Sequence, residues 1–270
     1  MNTAELKQFC QAVRRDIINM TANAGSGHPG GSLSAVELVT CIFFNHMRVD
    51  PQNPKDPHRD RCVLSKGHAA PCYYGVLAEL GFFDRAEFEK FRQLHSILQG
   101  HPDMKKVPGV DASSGSLGQG VSIAVGMALA AKHQGRDVKV YAVLGDGECQ
   151  EGQVWEAFMA ANHYKLDNLT IAIDNNGLQI DGSNDDVMSL GDLGAKLRAF
   201  GFHTIELPNG NDLESVLAAL DEPTEPGRPK AILAHTVKGK GVSFMENQVG
   251  WHGKAPNSEQ RQQALAELGA

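Results

Sequence analysis

An aspartate stands between two glycines at Gly145-Asp146-Gly147, directly after the apolar, β-branched run 138–144. A glycine turn between a strand and a helix is a place where backbone N–H groups gather an anion. A helical pattern follows (Trp155, Phe158, Met159, Tyr164), then a second strand at 169–174 that runs into Asn175-Asn176. Strand, glycine turn, helix, strand is a βαβ unit. The dinucleotide fingerprint asks for a third glycine, but position 150 is Gln. A carboxylate in the turn would also repel a diphosphate, by several kcal/mol at about 4 Å and an effective dielectric of about 20. A divalent cation between the two removes the conflict. Mg²⁺ prefers an octahedron of oxygens, one or two from the protein and others from phosphates. Asp146 and the amide of Asn176 could each give one, and a backbone carbonyl just beyond could give another. The alternative is a capped turn with no ligand, since Asp favours turns and N-caps. Both readings stay open on this stretch alone.

Histidines carry the second chemical signal. Four of the eleven lie in glycine turns: GSGHPGG around His28, SKGHA around His68, GHP around His101 and GWHG around His252. Glycine lets backbone approach a ligand closely, and imidazole exchanges protons near neutrality. Together these turns describe a polar, proton-exchanging pocket that could also grip phosphate. No pair has the spacing of a zinc site. A further glycine loop, 112–120, precedes a helix of small residues. Close approach to a flat ligand and plain helix packing are equally good accounts of it.

The elements that must position these groups alternate along the chain. Helices are predicted at 3–22, 34–46, 69–80, 85–94, 118–133, 150–164, 191–199, 212–220 and 258–268. Strands are predicted at 62–65, 138–144, 169–174, 203–206 and 231–234. Alternation implies an α/β fold, a mainly parallel sheet flanked by helices on both faces. Its ligands should lie beyond the carboxyl ends of the strands, with Asp146, Asn176, His235 and the SKGH turn. The 270 residues are expected to form a single domain, 1–270, since no linker divides them. Five scattered cysteines without a C-x-x-C pair suggest reduced thiols in the cytoplasm. The charged first helix is no signal peptide, and no apolar run approaches membrane-spanning length. A net charge of −7 argues against a nucleic-acid binder.

GHPGGSLSAVEL, SKGHA, GHP, GSLGQG and the GDG stretch, in that order, resemble the N-terminal, diphosphate-binding half of transketolase. The GDG motif alone marks a broad thiamine-dependent superfamily; the histidine turns are more specific. The resemblance implies thiamine diphosphate as cofactor, with Mg²⁺ (Ca²⁺ or Mn²⁺ as substitutes), and transfer of a two-carbon ketol unit from a ketose or ketose-phosphate donor to an aldose acceptor. It implies that Asp146, Asn176 and the Leu178 carbonyl hold the metal. Gly147 and Glu148, at the helix start, would cradle the diphosphate. His68 and His252 would touch the diphosphate, with His252 also facing the sugar. Gly115, Ser116 and Leu117 would lie against the aminopyrimidine, with Ser116 where proline is common. Ile180 would pack under the thiazolium ring. His28 and His101 would bind the donor sugar and move protons. Glu151 and Glu156 would sit at a subunit interface, and Glu151 doubles as a catalytic candidate.

Length sets the chain apart from full transketolases, which continue into a pyrimidine-binding domain and a third domain. No residue here matches the family's cofactor-activating glutamate. The resemblance therefore implies one subunit of a split enzyme. Its partner would be a C-terminal subunit carrying the pyrimidine domain, assembled as a heterotetramer with two copies of each chain. Rival expectations are the α-subunit of a 2-oxo acid dehydrogenase, a chain like 1-deoxyxylulose-phosphate synthase, and a noncatalytic binding or regulatory subunit.

Overall fold

The aliphatic runs become strands in the computed structural model, which describes residues 1–269. Along the chain they are β1 (Arg61–Leu64), β2 (Val140–Gly145), β3 (Leu169–Asn175), the two short strands β4 (Leu178–Gln179) and β5 (Gly182–Ser183), then β6 (His203–Leu207) and β7 (Lys230–His235). Five of them form one parallel sheet in the order β1-β2-β3-β7-β6. The strands β4 and β5 make a separate antiparallel hairpin. The five long strands match the sequence expectation within two residues at either end. The sheet was legible because β2, buried along its whole length, needs apolar side chains towards both faces.

The period of two along a strand divides the core. Tyr141 and Val143 join one apolar cluster, while Val140, Ala142 and Leu144 join the other. The first is closed by α1 (Thr3–Ala24), α2 (Pro29–Ser34), α3 (Val36–Cys41) and α4 (Ala70–Glu79). The second is closed by α5 (Gln119–His133) and α6 (Gly152–His163). Next in the chain are α7 (Asn184–Met188), α8 (Leu193–Ala199), α9 (Leu213–Asp221) and α10 (Ser258–Glu267). Of these, α8 packs on the second cluster and α9 and α10 on the first. Helix α1 starts on a capping box between Asn2 and Glu5 and stops at Gly25, at φ 59°.

Three helix expectations are corrected. The predicted helix 34–46 begins earlier, because Pro29 is preorganised for a first turn. It breaks at Ala35 and ends in a wide turn, Ile42–His46, where Met47 N donates to Ile42 O. The predicted helix 85–94 is only a tight 3₁₀ stretch, Arg85–Lys90, since Arg92 and His95 turn left-handed at φ 62° and 67°. The predicted helix 150–164 starts at Gly152, after a 3₁₀ turn at Gly147–Gln150 and an extended Glu151. The hairpin β4–β5 and helix α7 were not anticipated; both are too short to show a period.

Candidate active site

Parallel strands deliver their carboxyl ends to one edge of the sheet. There β1 leads to Lys66 and His68, β2 to Asp146, β3 to Asn176, and β7 to His235 and Lys238. Loops from α2 and from 99–117 complete a cleft of about 390 Å³. Its wall includes His28, His68, His101, Gly115, Leu117, Asp146, Gly147, Glu148, Glu151, Asn176, Leu178, Ile180 and His252. Thus all but two of the anticipated residues converge. Ser116 is exposed on the loop beside Gly115, and Glu156 is exposed on α6 outside the cleft. His235 lies at the strand edge as expected but faces a second cleft of about 450 Å³, beyond Asn176.

Three imidazoles meet at the cleft. The ring centres of His28 and His68 are 5.3 Å apart, those of His28 and His252 5.4 Å, and those of His68 and His252 5.2 Å. Such crowding requires neutral rings. Burial, and then Arg92, lowers His28 to about 4. Burial, and then Lys238, lowers His252 to about 3. Burial, and then Lys66, holds His68 well below the usual histidine value. Burial and Arg92 also lower the more open His101. Neutral imidazoles can each accept one proton and donate another.

The same cleft holds the carboxylate of Asp146, 2 % exposed. Gly147 N donates to its Oδ1 at 2.8 Å and Gly177 N donates to its Oδ2 at 2.5 Å. Burial, and then the charge of Asp174, raises its pKa. A raised carboxylate with spare lone pairs gains by meeting a cation. Asn176 Oδ1 accepts from Leu178 N at 3.2 Å, so amide and carbonyl belong to one tight turn. Among the described residues no group of three or more His, Cys, Asp or Glu could hold a metal. One carboxylate with an amide and a carbonyl is instead a hard, oxygen-only set of the kind Mg²⁺ takes. Asn184 Oδ1 is also buried here without a hydrogen-bond partner among the described residues.

Glu148 braces the site. Its carboxylate accepts from Ser65 Oγ, from Gly118 N at 2.9 Å and from Gly145 N at 3.1 Å, tying three loops together. Burial raises its pKa against these bonds. The loops touch so closely that a Cβ on Gly67 would stand 2.6 Å from Gly115 N. Gly115, at φ 142°, lies against the ring of His101.

Three cations escaped the sequence reading. Lys66, 1 % exposed, ion-pairs with Asp174 and donates to Gly31 O at 2.9 Å. Burial works to raise Asp174, but Lys66, Ser34 and Thr236 together hold it below the usual carboxylate value. Lys238, 2 % exposed, donates to His252 Nδ1 at 3.1 Å. Burial and Lys66 lower it to about 8. Both lysines stand in glycine turns, SKGH and KGKG, which was the available signal. Arg92 Nη2 lies 3.5 Å from His28 Nδ1; its left-handed backbone leaves no mark in the sequence.

Comparison with known proteins agrees with this architecture. Residues 6–270 match the family described as "Transketolase, thiamine diphosphate binding domain". The chain is 42% identical to an apulose-4-phosphate transketolase subunit of Phocaeicola vulgatus, covering 99% of this chain and 95% of that one. It is 40% identical to a 6-deoxy-6-sulfo-D-fructose transketolase subunit of a Clostridium species, covering 98% and 96%. The crystal structure of transketolase from Campylobacter jejuni superposes with a TM-score of 0.93 at 33% identity, covering 100% of this chain and 43% of that one. The chain therefore spans less than half the length of the solved transketolase it matches. With its sheet order, its GDG turn and its histidine cluster in place, the chain belongs to the transketolase family, as its thiamine-diphosphate-binding N-terminal part.

Proposed function

We propose that this chain is the N-terminal subunit of a two-subunit transketolase. With a C-terminal partner it would transfer a two-carbon ketol unit from a ketose or ketose-phosphate donor to an aldose acceptor. The observation that carries this is the histidine triad of His28, His68 and His252, which shares one cleft with the Asp146–Gly147 turn. A carboxylate turn and proton-exchanging imidazoles in one cleft are what this cofactor and a sugar require together. Relatives covered over nearly their whole length are named as transketolase subunits. That favours transketolase over the oxo acid dehydrogenase, the synthase-like and the noncatalytic readings.

The residues present fit the group. Asp146, Asn176 and the Leu178 carbonyl would hold Mg²⁺. Gly147, whose missing side chain keeps the turn open, and the lysines would receive the diphosphate, with His68 and His252 beside it. Glu148 would act by fixing the wall. Gly115, Ser116 and Leu117 would border the pyrimidine, and Ile180, 66% exposed, would meet the thiazolium ring. When bound, thiamine diphosphate supplies the carbanion chemistry that carries the two-carbon unit. The protein's share is to orient the sugar and manage protons. Neutral His28, His101 and His252 can take a hydroxyl proton or return one, help typically worth about 10²–10⁴-fold. Glu151 and Glu156, both exposed, would face the partner, with Glu151 close enough to the cleft to join the catalytic set. We place the protein in the cytoplasm, where its five buried, unpaired cysteines stay reduced. Among the described residues no helix is long and apolar enough to cross a membrane.

The test is a ketol-transfer assay with each chain alone and with the reconstituted pair, across several ketose donors. Turnover is expected only from the pair, and full activity from this chain by itself would refute the split-subunit reading. Calorimetry should show that Asp146→Ala abolishes metal-dependent cofactor uptake by the pair. Identical uptake after exhaustive chelation would refute the metal bridge.

A further inference from the structure

We infer that Arg92 is a positioning residue for the substrate: it fixes His28 as the tautomer with its proton on Nε2, so that the ring serves as a hydrogen-bond donor. The inference deepens the transketolase reading above and rests on it for the identity of the substrate. Arg92 Nη2 stands 3.5 Å from His28 Nδ1. A guanidinium carries only donors and keeps its charge, whereas a neutral imidazole carries one donor and one acceptor. The nitrogen facing Arg92 is therefore the acceptor, and the ring proton belongs on the other one. That other nitrogen looks towards Gly253, where a Cβ would stand 3.8 Å from Nε2. His28 also lines the cleft itself.

Both partners are held from behind. His28 stands just before α2, with Pro29 next and Ser32 Oγ donating to its carbonyl at 2.7 Å. Arg92 is left-handed at φ 62°, and its backbone N–H donates to Leu98 O at 2.8 Å. Its guanidinium lies so close to Gly100 that a Cβ there would meet Cζ at 2.6 Å. Burial lowers the pKa of Arg92, and the group that offsets this is Tyr74 rather than a carboxylate. The same pattern recurs at His252, whose Nδ1 faces the ammonium of Lys238 at 3.1 Å. With Nε2 already protonated and Nδ1 facing a cation, His28 has no free position for a further proton. Its part is thereby narrowed to a hydrogen bond given to a substrate oxygen, with no proton transferred.

Nitrogen–proton correlation NMR on the full chain, with isotope-labelled histidine at neutral pH, reads the tautomer directly. The His28 signals are identified by their loss in His28→Asn. We expect the wild-type ring to show a protonated Nε2 and a bare Nδ1. A proton on Nδ1 would overturn the inference, whatever the variants do. Arg92→Met should move the His28 nitrogens towards a mixture of the two tautomers. It should also raise the ring's titration midpoint, since one cation is gone while Lys66, Lys238, His68, His101 and His252 remain around it. Arg92→Lys, which keeps a cation, should return both readings towards wild type. In the reconstituted pair, Arg92→Met should lower kcat/KM for a ketose donor about three- to tenfold, the scale of one hydrogen bond, with cofactor affinity at the wild-type level. An unchanged tautomer in folded Arg92→Met would overturn the inference, and so would a changed tautomer with unchanged kcat/KM. A wild-type pair without ketol transfer would instead sink the transketolase reading, while the spectrum still decides the tautomer.

Discussion

The ammonium of Lys238 donates to the carbonyl oxygen of Leu178 at 2.9 Å, the oxygen expected to face the metal. One buried cation thus steadies the hairpin turn and touches His252 Nδ1 at 3.1 Å. A metal arriving at the carbonyl would compete with Lys238, which is then free to meet the diphosphate. Charged hydrogen bonds are worth about 1.5–3 kcal/mol. Lys238→Met should therefore weaken cofactor binding by the reconstituted pair about 10- to 100-fold. Isothermal calorimetry measures it, and unchanged affinity would show that Lys238 only shapes the turn.

Lys66 and Asp174 form a buried ion pair at the carboxyl ends of β1 and β3, both almost wholly out of water. Removing one partner leaves the other uncompensated, at a cost of about 3–5 kcal/mol. We expect Lys66→Met to lower the urea midpoint of the isolated chain accordingly. The double variant Lys66→Met with Asp174→Asn should recover part of the loss. Equal destabilisation by single and double variants would rule out the charge explanation.

Gly67 packs on Gly115 without room for a methyl group, since a Cβ would meet Gly115 N at 2.6 Å. The obstacle is backbone, so the 112–118 loop must move. Gly67→Ala should cost about 1–3 kcal/mol of stability, the usual scale of overpacking. It should also displace Gly115 from His101 and reduce cofactor affinity about tenfold (about 1.4 kcal/mol). Thermal melting and cofactor titration check the two effects separately.

The histidine cluster sets a pH signature. His28 sits at about 4 and His252 at about 3, against about 6.5 in the unfolded chain. Between these values the unfolded chain binds protons that the folded chain refuses, so stability rises with pH. The full contribution is present above about pH 6.5 and is lost as pH falls towards about 4. Asp16, raised to about 7 by burial, acts with the opposite sign over much of this window. A comparison cancels it: the wild-type chain should lose several degrees more of melting temperature between about pH 6.5 and 5 than His68→Asn/His252→Asn. Parallel curves would mean that folding leaves the proton affinity of these rings unchanged.

Legibility followed residue pattern. The five long strands were readable because a two-sided sheet demands continuous aliphatic runs, as in β2. The GDG turn was readable because an aspartate between two glycines at the end of an aliphatic run marks a strand-to-helix turn. The break at Ala35 and the left-handed Arg92 were not readable, since no glycine or proline stands at either position to mark it. Glu148 shows the same limit from the other side. Its neighbours in sequence suggest a ligand contact, whereas Ser65 and Gly118, far along the chain, engage its carboxylate.

The sequence by itself determined the sheet, the family and most residues of the cleft, because local pattern and residue chemistry carry that information. Only the tertiary structure decided that three histidines from three separate loops touch, that Lys66 and Lys238 are buried among them, and that Asn184 keeps an unmatched oxygen beside Gly147. Those facts depend on distances between residues remote in the chain, and distance in space sets desolvation, charge coupling and hydrogen bonding.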